Sequence, residues 1–313
     1  MLPDKIEKLA IAVTVHFTES RLCYLSMISS HFDSLADDVE VFIFTNTDDA
    51  QCQKKIRDAI GVCSFKYKLL VPKLLGHPYL LPWSHLEYFR QCFAEDKTIS
   101  HFMYLEDDIL IRKENVEYWL KGRKELREYG LIPSFLRYEL KANLGEPYCT
   151  DFLRHVNPYV LARVEISDHY VYLNLPKPYQ GMYLLDRELM EEHLTGRSSN
   201  PDFGVWNIRE RAAQGITFLD VPKGCLSRNF VGYDIKSAQI DPCSLIHHTP
   251  NNYADDPNRK FAKILVRDLF RPKLRLTINQ PKLKTVNKTF AMMQRHTSKK
   301  LHPLLARLFS IFS

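Results

Sequence analysis

Apolar positions along the chain fall into short runs, and the runs alternate with amphipathic stretches. Leu9–Val15 (LAIAVTV) is continuous and rich in β-branched residues, the pattern of a strand covered on both faces. The next stretch predicts a helix over Glu19–Phe32, with Leu22, Leu25, Met27, Ile28 and Phe32 on its buried side. Val39–Thr45 (VEVFIFT) reads as a second strand, and Asp48 or Asp49 as the cap of a helix over Ala50–Ile60. Phe65–Val71 alternates like a third strand. A helix follows over Trp83–Glu95, then a fourth strand over Phe102–Leu105. Alternation of this kind predicts an α/β fold with a doubly wound sheet and right-handed crossovers.

Beyond it, Asn115–Tyr129 predicts a helix with Val116, Trp119, Leu120 and Leu126 inward, and Ile132–Tyr138 is extended. The segments HVNPYVLARVEI and HYVYLNLPKPYQGMYLL predict antiparallel strands. Helices are expected over Asp186–Leu194 and Asn207–Gln214, and a short strand over Ile216–Leu219. Near the end, Leu301, Leu304, Leu305, Leu308, Phe309 and Phe312 form one apolar stripe at helical spacing, flanked by Lys299, Lys300 and Arg307.

Charge changes the picture of this last part. Ten of the 43 Lys and Arg residues lie between Arg271 and Ser313, and none of the 37 acids does. The net charge of +6 therefore belongs to the tail, and the preceding body is slightly acidic. Nucleic-acid binding by the body has no electrostatic support. A cationic amphipathic helix on an acid-free tail suits an anionic lipid surface; the alternative is a helix docked on the protein's own core. Seven cysteines at scattered spacing, without a CxxC pair, read as reduced thiols. The first apolar run is too short and mixed for a secretory leader or a membrane span. The expectation is a cytoplasmic, peripherally membrane-associated protein, with a domain over 1–265 (halves 1–130 and 131–265) and a basic tail over 266–313.

The candidate chemistry sits where the fourth strand ends. In SHFMYLEDDILIRKENVEYWL, three acids, Glu106, Asp107 and Asp108, interrupt an apolar run. Adjacent like charges are costly unless a cation, a ligand or open water meets them. In doubly wound sheets, ligands bind beyond the carboxyl ends of the strands. Mg2+ or Mn2+ takes one or two carboxylates together with phosphate oxygens and water, and a spare carboxylate can accept from ribose hydroxyls. The alternative is an acidic turn capping the next helix.

The same stretch resembles the DXD motif that ends a strand in glycosyltransferases of GT-A fold. More closely, EDDILIRKENVEYW is similar to the EDD block of the N-acetylglucosaminyltransferases of N-glycan branching. Upstream, WSHLEYFRQCF holds His85 at about the spacing where that family has a His near the nucleotide base, and VTVHFTESR ends in Arg21, where the family has an Arg contacting the nucleotide. Downstream, DFGVWNIRERAAQGITFLDVPKGCLSRNFVGYD resembles its Trp-containing acceptor-side loop. The resemblance implies a metal-dependent transferase moving a sugar from a UDP-sugar donor to a glycan or glycolipid acceptor. It implies Asp108 as metal ligand, with Glu106 and Asp107 toward the ribose and donor groups.

An inverting transferase also needs a carboxylate base. The family places an Asp directly before the loop Trp, whereas here Gly204 and Val205 precede Trp206. Asp202 and Glu210 are the nearest candidates. By analogy with other metal-dependent GT-A enzymes, His247 or His248 is expected as a further metal contact. In YQGMYLLDRELMEEHL, Tyr179, Gln180 and Gly181 are candidate pocket residues. Two other readings share the architecture. A nucleotidyltransferase would need a Gly-rich basic loop after the first strand, where this chain has HFTESRL; a non-catalytic nucleotide-binding scaffold would bind without turnover.

Overall fold

The computed structural model describes residues 4–271, apart from 74, 75, 143 and 177, and the short strand Lys284–Thr285. Its first half alternates strand and helix: β1 (Lys8–Val15), α1 (Leu22–Ser29), β2 (Asp38–Thr45), α2 (Ala50–Ile60), β3 (Lys66–Leu70), α3 (His85–Glu95) and β4 (His101–Glu106). Then come β5 (Ile109–Leu110), α4 (Lys113–Leu126), β6 (Ile132–Pro133), β7 (Leu136–Leu140), β8 (Pro147–Cys149), β9 (Ala162–Glu165) and β10 (Tyr170–Asn174). The rest comprises β11 (Met182–Asp186), α5 (Arg187–Thr195), α6 (Ile208–Arg211), β12 (Asn229–Asp234), β13 (Gln239–Ile240), β14 (Leu245–His248) and β15 (Ile264–Leu265).

The main sheet has the order β3-β2-β1-β4-β11. Strands β1 to β4 are parallel, and β11 closes the sheet antiparallel to β4. Leu9–Val15 is buried at every position, as a central strand covered on both faces must be. At the edge, β3 turns Lys66 and Lys68 to water, which blunts it against further pairing. The chain builds outward from β1 to β3, then returns to place β4 on the other side of β1. That reversal makes the crevice between the carboxyl ends of β1 and β4 the switch point of the sheet.

Two further sheets lie beyond it. One runs β13-β12-β10-β9, with β6 beside β12 and Lys284–Thr285 beside β9; the other runs β15-β8-β7-β14-β5. The architecture is mixed α/β. One apolar core draws on residues from Ile6 to Ile246, so both expected halves share it. A second core lies around Leu136, Leu173, Val231 and Leu269. Val266, Leu269 and Phe270 are buried there, so the packed body continues past the expected boundary at 265. The stripe at 301–312 and nearly all of the basic tail lie outside the described residues.

Three local expectations are corrected. The helix expected over Glu19–Phe32 is split: 3-10 turns at Glu19–Arg21 and Phe32–Ser34 flank α1, and Met27 is exposed, because it points away from the face carrying Leu25 and Ile28. The helix expected over Asn207–Gln214 is one turn, α6. Ile216–Leu219 is no strand: Gly215 has φ +49°, and Thr217 and Leu219 N–H groups donate back to the carbonyls of Gln214 and Ile216, closing tight turns. Elsewhere the signals held. Asp49 caps α2 by accepting from the Cys52 N–H at 2.8 Å, and Asp186 caps α5 through Leu189 at 2.9 Å.

Candidate functional site

Glu106 is the last residue of β4, and Asp107 and Asp108 form the tight turn into β5. The Asp108 carbonyl holds that turn by accepting from the Thr249 N–H at 2.9 Å and its hydroxyl at 3.1 Å. Both aspartates are nearly inaccessible, with 3% and 6% of their surface exposed. Arg21, in the turn that follows β1, reaches both. Its Nε donates to Asp107 Oδ2 at 3.0 Å and its Nη2 to Asp108 Oδ2 at 2.7 Å, with a further contact to Asp107 Oδ1. The two strands flanking the switch point thus meet through an ion pair across their carboxyl ends.

His248 comes from the opposite side. β14 pairs antiparallel with β5, setting His248 against Ile109 and its ring beside Asp108. Nε2 of His248 lies 3.5 Å from Asp108 Oδ2, and Nδ1 lies 2.6 Å from Glu139 Oε1. Glu139 is fully buried; its other oxygen accepts the N–H groups of Tyr253 and Ala254 at 2.8 and 2.7 Å. The Tyr253 ring stacks on the imidazole, with centroids 5.3 Å apart.

Glu106 forms the other wall. Its Oε1 accepts from the Tyr179 hydroxyl at 2.5 Å, and Tyr179 is flanked by the Arg137 guanidinium at 4.7 Å and by Trp206 at 5.0 Å. Arg137 is itself paired with Asp151 at 2.6 and 3.0 Å. Gly181 passes so close that a β-carbon there would lie 2.9 Å from Glu106 Oε2 and from Ile109.

The carboxylates are driven apart in acidity. Burial, reinforced by the charge of Asp108, raises the Glu106 pKa to about 7. Burial also raises Asp107 to about 6, against the opposing pull of Arg21. Asp108 is buried too, yet His248 and Arg21 overcome that cost and hold it below the usual carboxylate range. Burial works against a charged His248, but Asp108 and Glu139 outweigh it and raise its pKa.

The donor set fits a divalent cation. Asp108 Oδ1 is buried without a hydrogen-bond partner, and the other oxygen of the same carboxylate lies 3.5 Å from His248 Nε2, whose opposite ring nitrogen is committed to Glu139. One carboxylate oxygen and one imidazole suit Mn2+, and Mg2+ through its preference for carboxylate with phosphate and water. Among the described residues no group of three or more His, Cys, Asp and Glu is arranged to hold a metal.

Arg21, Glu106, Asp107, Asp108, Gly181 and His248 thus come together with Tyr179. The others do not. His85 is in the core: it is fully buried, its Nε2 lies 2.6 Å from the Tyr183 hydroxyl and its Nδ1 2.5 Å from the Pro82 carbonyl, and burial lowers its pKa to about 3. It has no free nitrogen for a nucleotide base. His247 alternates to the opposite face of β14, stacks on Tyr138 and contacts Asn251 Oδ1 at 2.9 Å, so it cannot share a cation with Asp108. Gln180 is a structural clip that accepts from the Phe135 N–H at 2.7 Å.

Asp202 lies exposed in a turn. Glu210 accepts from the Asn207 N–H at the start of α6 while Asn207 caps it in return, so its carboxylate serves the helix end. Glu139, Arg137 and Asp151 were missed. The available signal was the period-2 pattern of LRYEL, which puts Arg137 and Glu139 on one face of β7, beside His248. No protein-family model matches the chain, and no curated protein matches it at a significant level.

Proposed function

We propose that the chain is a metal-dependent glycosyltransferase of GT-A type, moving a sugar from a UDP-sugar donor to a saccharide acceptor. The observation that carries this reading is Asp108 at the switch point of a β3-β2-β1-β4 sheet, with Oδ1 buried and unpartnered and its carboxylate within 3.5 Å of His248. Asp108 and His248 would hold Mn2+ or Mg2+. When bound, the cation neutralises the donor diphosphate and stabilises the departing nucleotide. Arg21, charged and with about a third of its side chain exposed beside the cluster, binds the diphosphate from the β1 side. Glu106, steadied by Tyr179, and the bare backbone of Gly181 form the wall against which ribose or donor sugar packs.

A nucleotidyltransferase is disfavoured because the segment after β1 is a 3-10 turn carrying Glu19 and Arg21, with no glycine to let backbone amides wrap a triphosphate. The test is a thermal-shift panel of nucleoside diphosphates and nucleotide sugars, with and without Mn2+. Stabilisation by UDP-sugars that requires Mn2+, followed by donor turnover, is expected. Binding without turnover would leave a non-catalytic scaffold, and metal-independent binding would overturn the reading.

The lipid-linked acceptor and peripheral membrane contact rest on the basic tail sequence alone. No helix among the described residues is long and apolar enough to cross a membrane. Cosedimentation with anionic vesicles should fall on removal of residues 272–313; equal partitioning of both forms would remove the idea.

A further inference from the structure

The geometry points to Glu139 as the positioning residue of this centre. By accepting the Nδ1 proton of His248, it fixes the imidazole with Nε2 on the Asp108 side, the nitrogen that a divalent cation would take in place of a proton, and so sets the affinity for that cation. The inference rests on the proposed metal site and adds a residue that the sequence did not single out.

A carboxylate with no solvent exposure must be matched on all sides. Glu139 meets that demand with a split arrangement. One oxygen is taken by two consecutive backbone N–H groups, those of Tyr253 and Ala254, which fixes the plane of the carboxylate. The other oxygen is thereby aimed at His248 Nδ1, 2.6 Å away. Since Glu139 accepts there, the Nδ1 position carries a proton, and Nε2 is the nitrogen that would ligate when a cation takes the place of the proton shared with Asp108. Tyr253, whose amide helps to hold Glu139, also stacks on the ring and stops it from swinging. The ring is thus restrained at one nitrogen and on one face, while its second nitrogen lies 3.5 Å from Asp108 Oδ2, on a carboxylate whose Oδ1 has no partner.

The groups packed around Glu139 and His248 fit this role. Arg137, on the same face of β7, is bound bidentately by Asp151, so its charge is largely answered there. Arg21 answers Asp107 and part of Asp108. No cation among these is hydrogen-bonded to Glu139, which leaves its negative charge to polarise the imidazole and strengthen it as a donor to metal.

The test uses the full chain with histidine-selective 15N labelling and Mn2+ or Mg2+ alone as probe, His248→Gln supplying the assignment. In wild-type protein with Mg2+ at pH 8, His248 should be the Nδ1–H tautomer, and Mn2+ should broaden its ring signals but not those of His247. Glu139→Gln should weaken Mn2+ binding, read by electron paramagnetic resonance, roughly 10- to 100-fold. It should also shift the tautomer balance, while Glu139→Asp recovers part of the affinity. If Mn2+ binds wild type and Glu139→Gln equally, the positioning role falls while the metal site stands. If Mn2+ binds neither, with or without UDP, the proposed function falls with it. Should Glu139→Gln fail to fold, the wild-type spectrum decides: an Nε2–H tautomer with Mg2+ present overturns the inference.

Discussion

Nη2 of Arg21 lies 2.7 Å from Asp108 Oδ2, joining the segment after the first strand to the end of the fourth across 87 residues of sequence. This guanidinium is the positive charge that faces Asp107, and with His248 it holds Asp108. Replacing it by Gln leaves two buried carboxylates short of a cation. About a third of the Arg21 side chain is exposed, so solvent screens part of the loss, and the expected cost is roughly 1–2 kcal/mol. Mn2+ should recover that stability, so the rise in melting temperature on adding Mn2+ should be larger in Arg21→Gln than in wild type. An equal rise in both would separate Arg21 from the cation site.

Asp108 and the two carboxylates outside the cluster should behave differently. Asp108→Asn keeps the shape but loses the charged oxygen, and donor hydrolysis should fall by two or more orders of magnitude. Asp202→Asn and Glu210→Gln should change it only a few-fold, the latter keeping the reciprocal cap of α6 because an amide oxygen can accept the Asn207 N–H as well. Rates measured under saturating donor and Mn2+ decide. A collapse in Asp202→Asn would mean that its turn swings onto the site when donor binds.

Gly181 should tolerate no side chain. Its φ of +65° belongs to the left-handed region, and a β-carbon would press on Glu106 Oε2 and Ile109 at 2.9 Å. Gly181→Ala is expected to lower stability by about 2 kcal/mol, from backbone strain and crowding together, read as a reduced urea midpoint at unchanged slope.

Acid should weaken the fold through its buried imidazoles. Burial lowers the pKa values of His85, His101 and His193 to about 3, about 4 and about 3. Unfolding returns them to the ordinary value of 6.5. Below that value the unfolded chain binds more protons, so these three contribute stability that is present above pH 6.5 and lost as pH falls toward 4. Glu106 and Asp107, raised to about 7 and about 6, act in the opposite sense: the folded chain keeps their protons, and that stability is lost as pH rises through those values. His101→Gln should reduce the pH slope of the urea-derived stability between pH 4.5 and 6 by up to one proton, about 1.4 kcal/mol per pH unit. An unchanged slope would show that His101 titrates normally.

The parallel half of the fold was legible because its signals are local. Continuous apolar runs marked β1, β2 and β4, and Asp49 marked the start of α2. The acidic turn was legible too, since three carboxylates after a buried strand have few bland explanations. What lay hidden depends on pairing between distant segments. His247 and His248 are chemically identical neighbours, and the register of β14 on β5 alone decides which one meets Asp108. His85 matched a spacing, but spacing along a helix says nothing about what covers it; here Pro82 and Tyr183 do. Glu139 escaped because a charged residue in a strand normally reads as solvent-facing, and only the partners it finds after folding make it an interior group.

The candidate centre joins distant parts of the chain: Thr249 reaches Asp108 across 141 residues, and His248 reaches Glu139 across 109. Contacts of such sequence separation form late, because the intervening loop must close before they return any energy. β14 is the strand that completes the set. A chain still emerging from the ribosome would hold its three acids without their histidine, and competence to capture a cation would mark the end of folding.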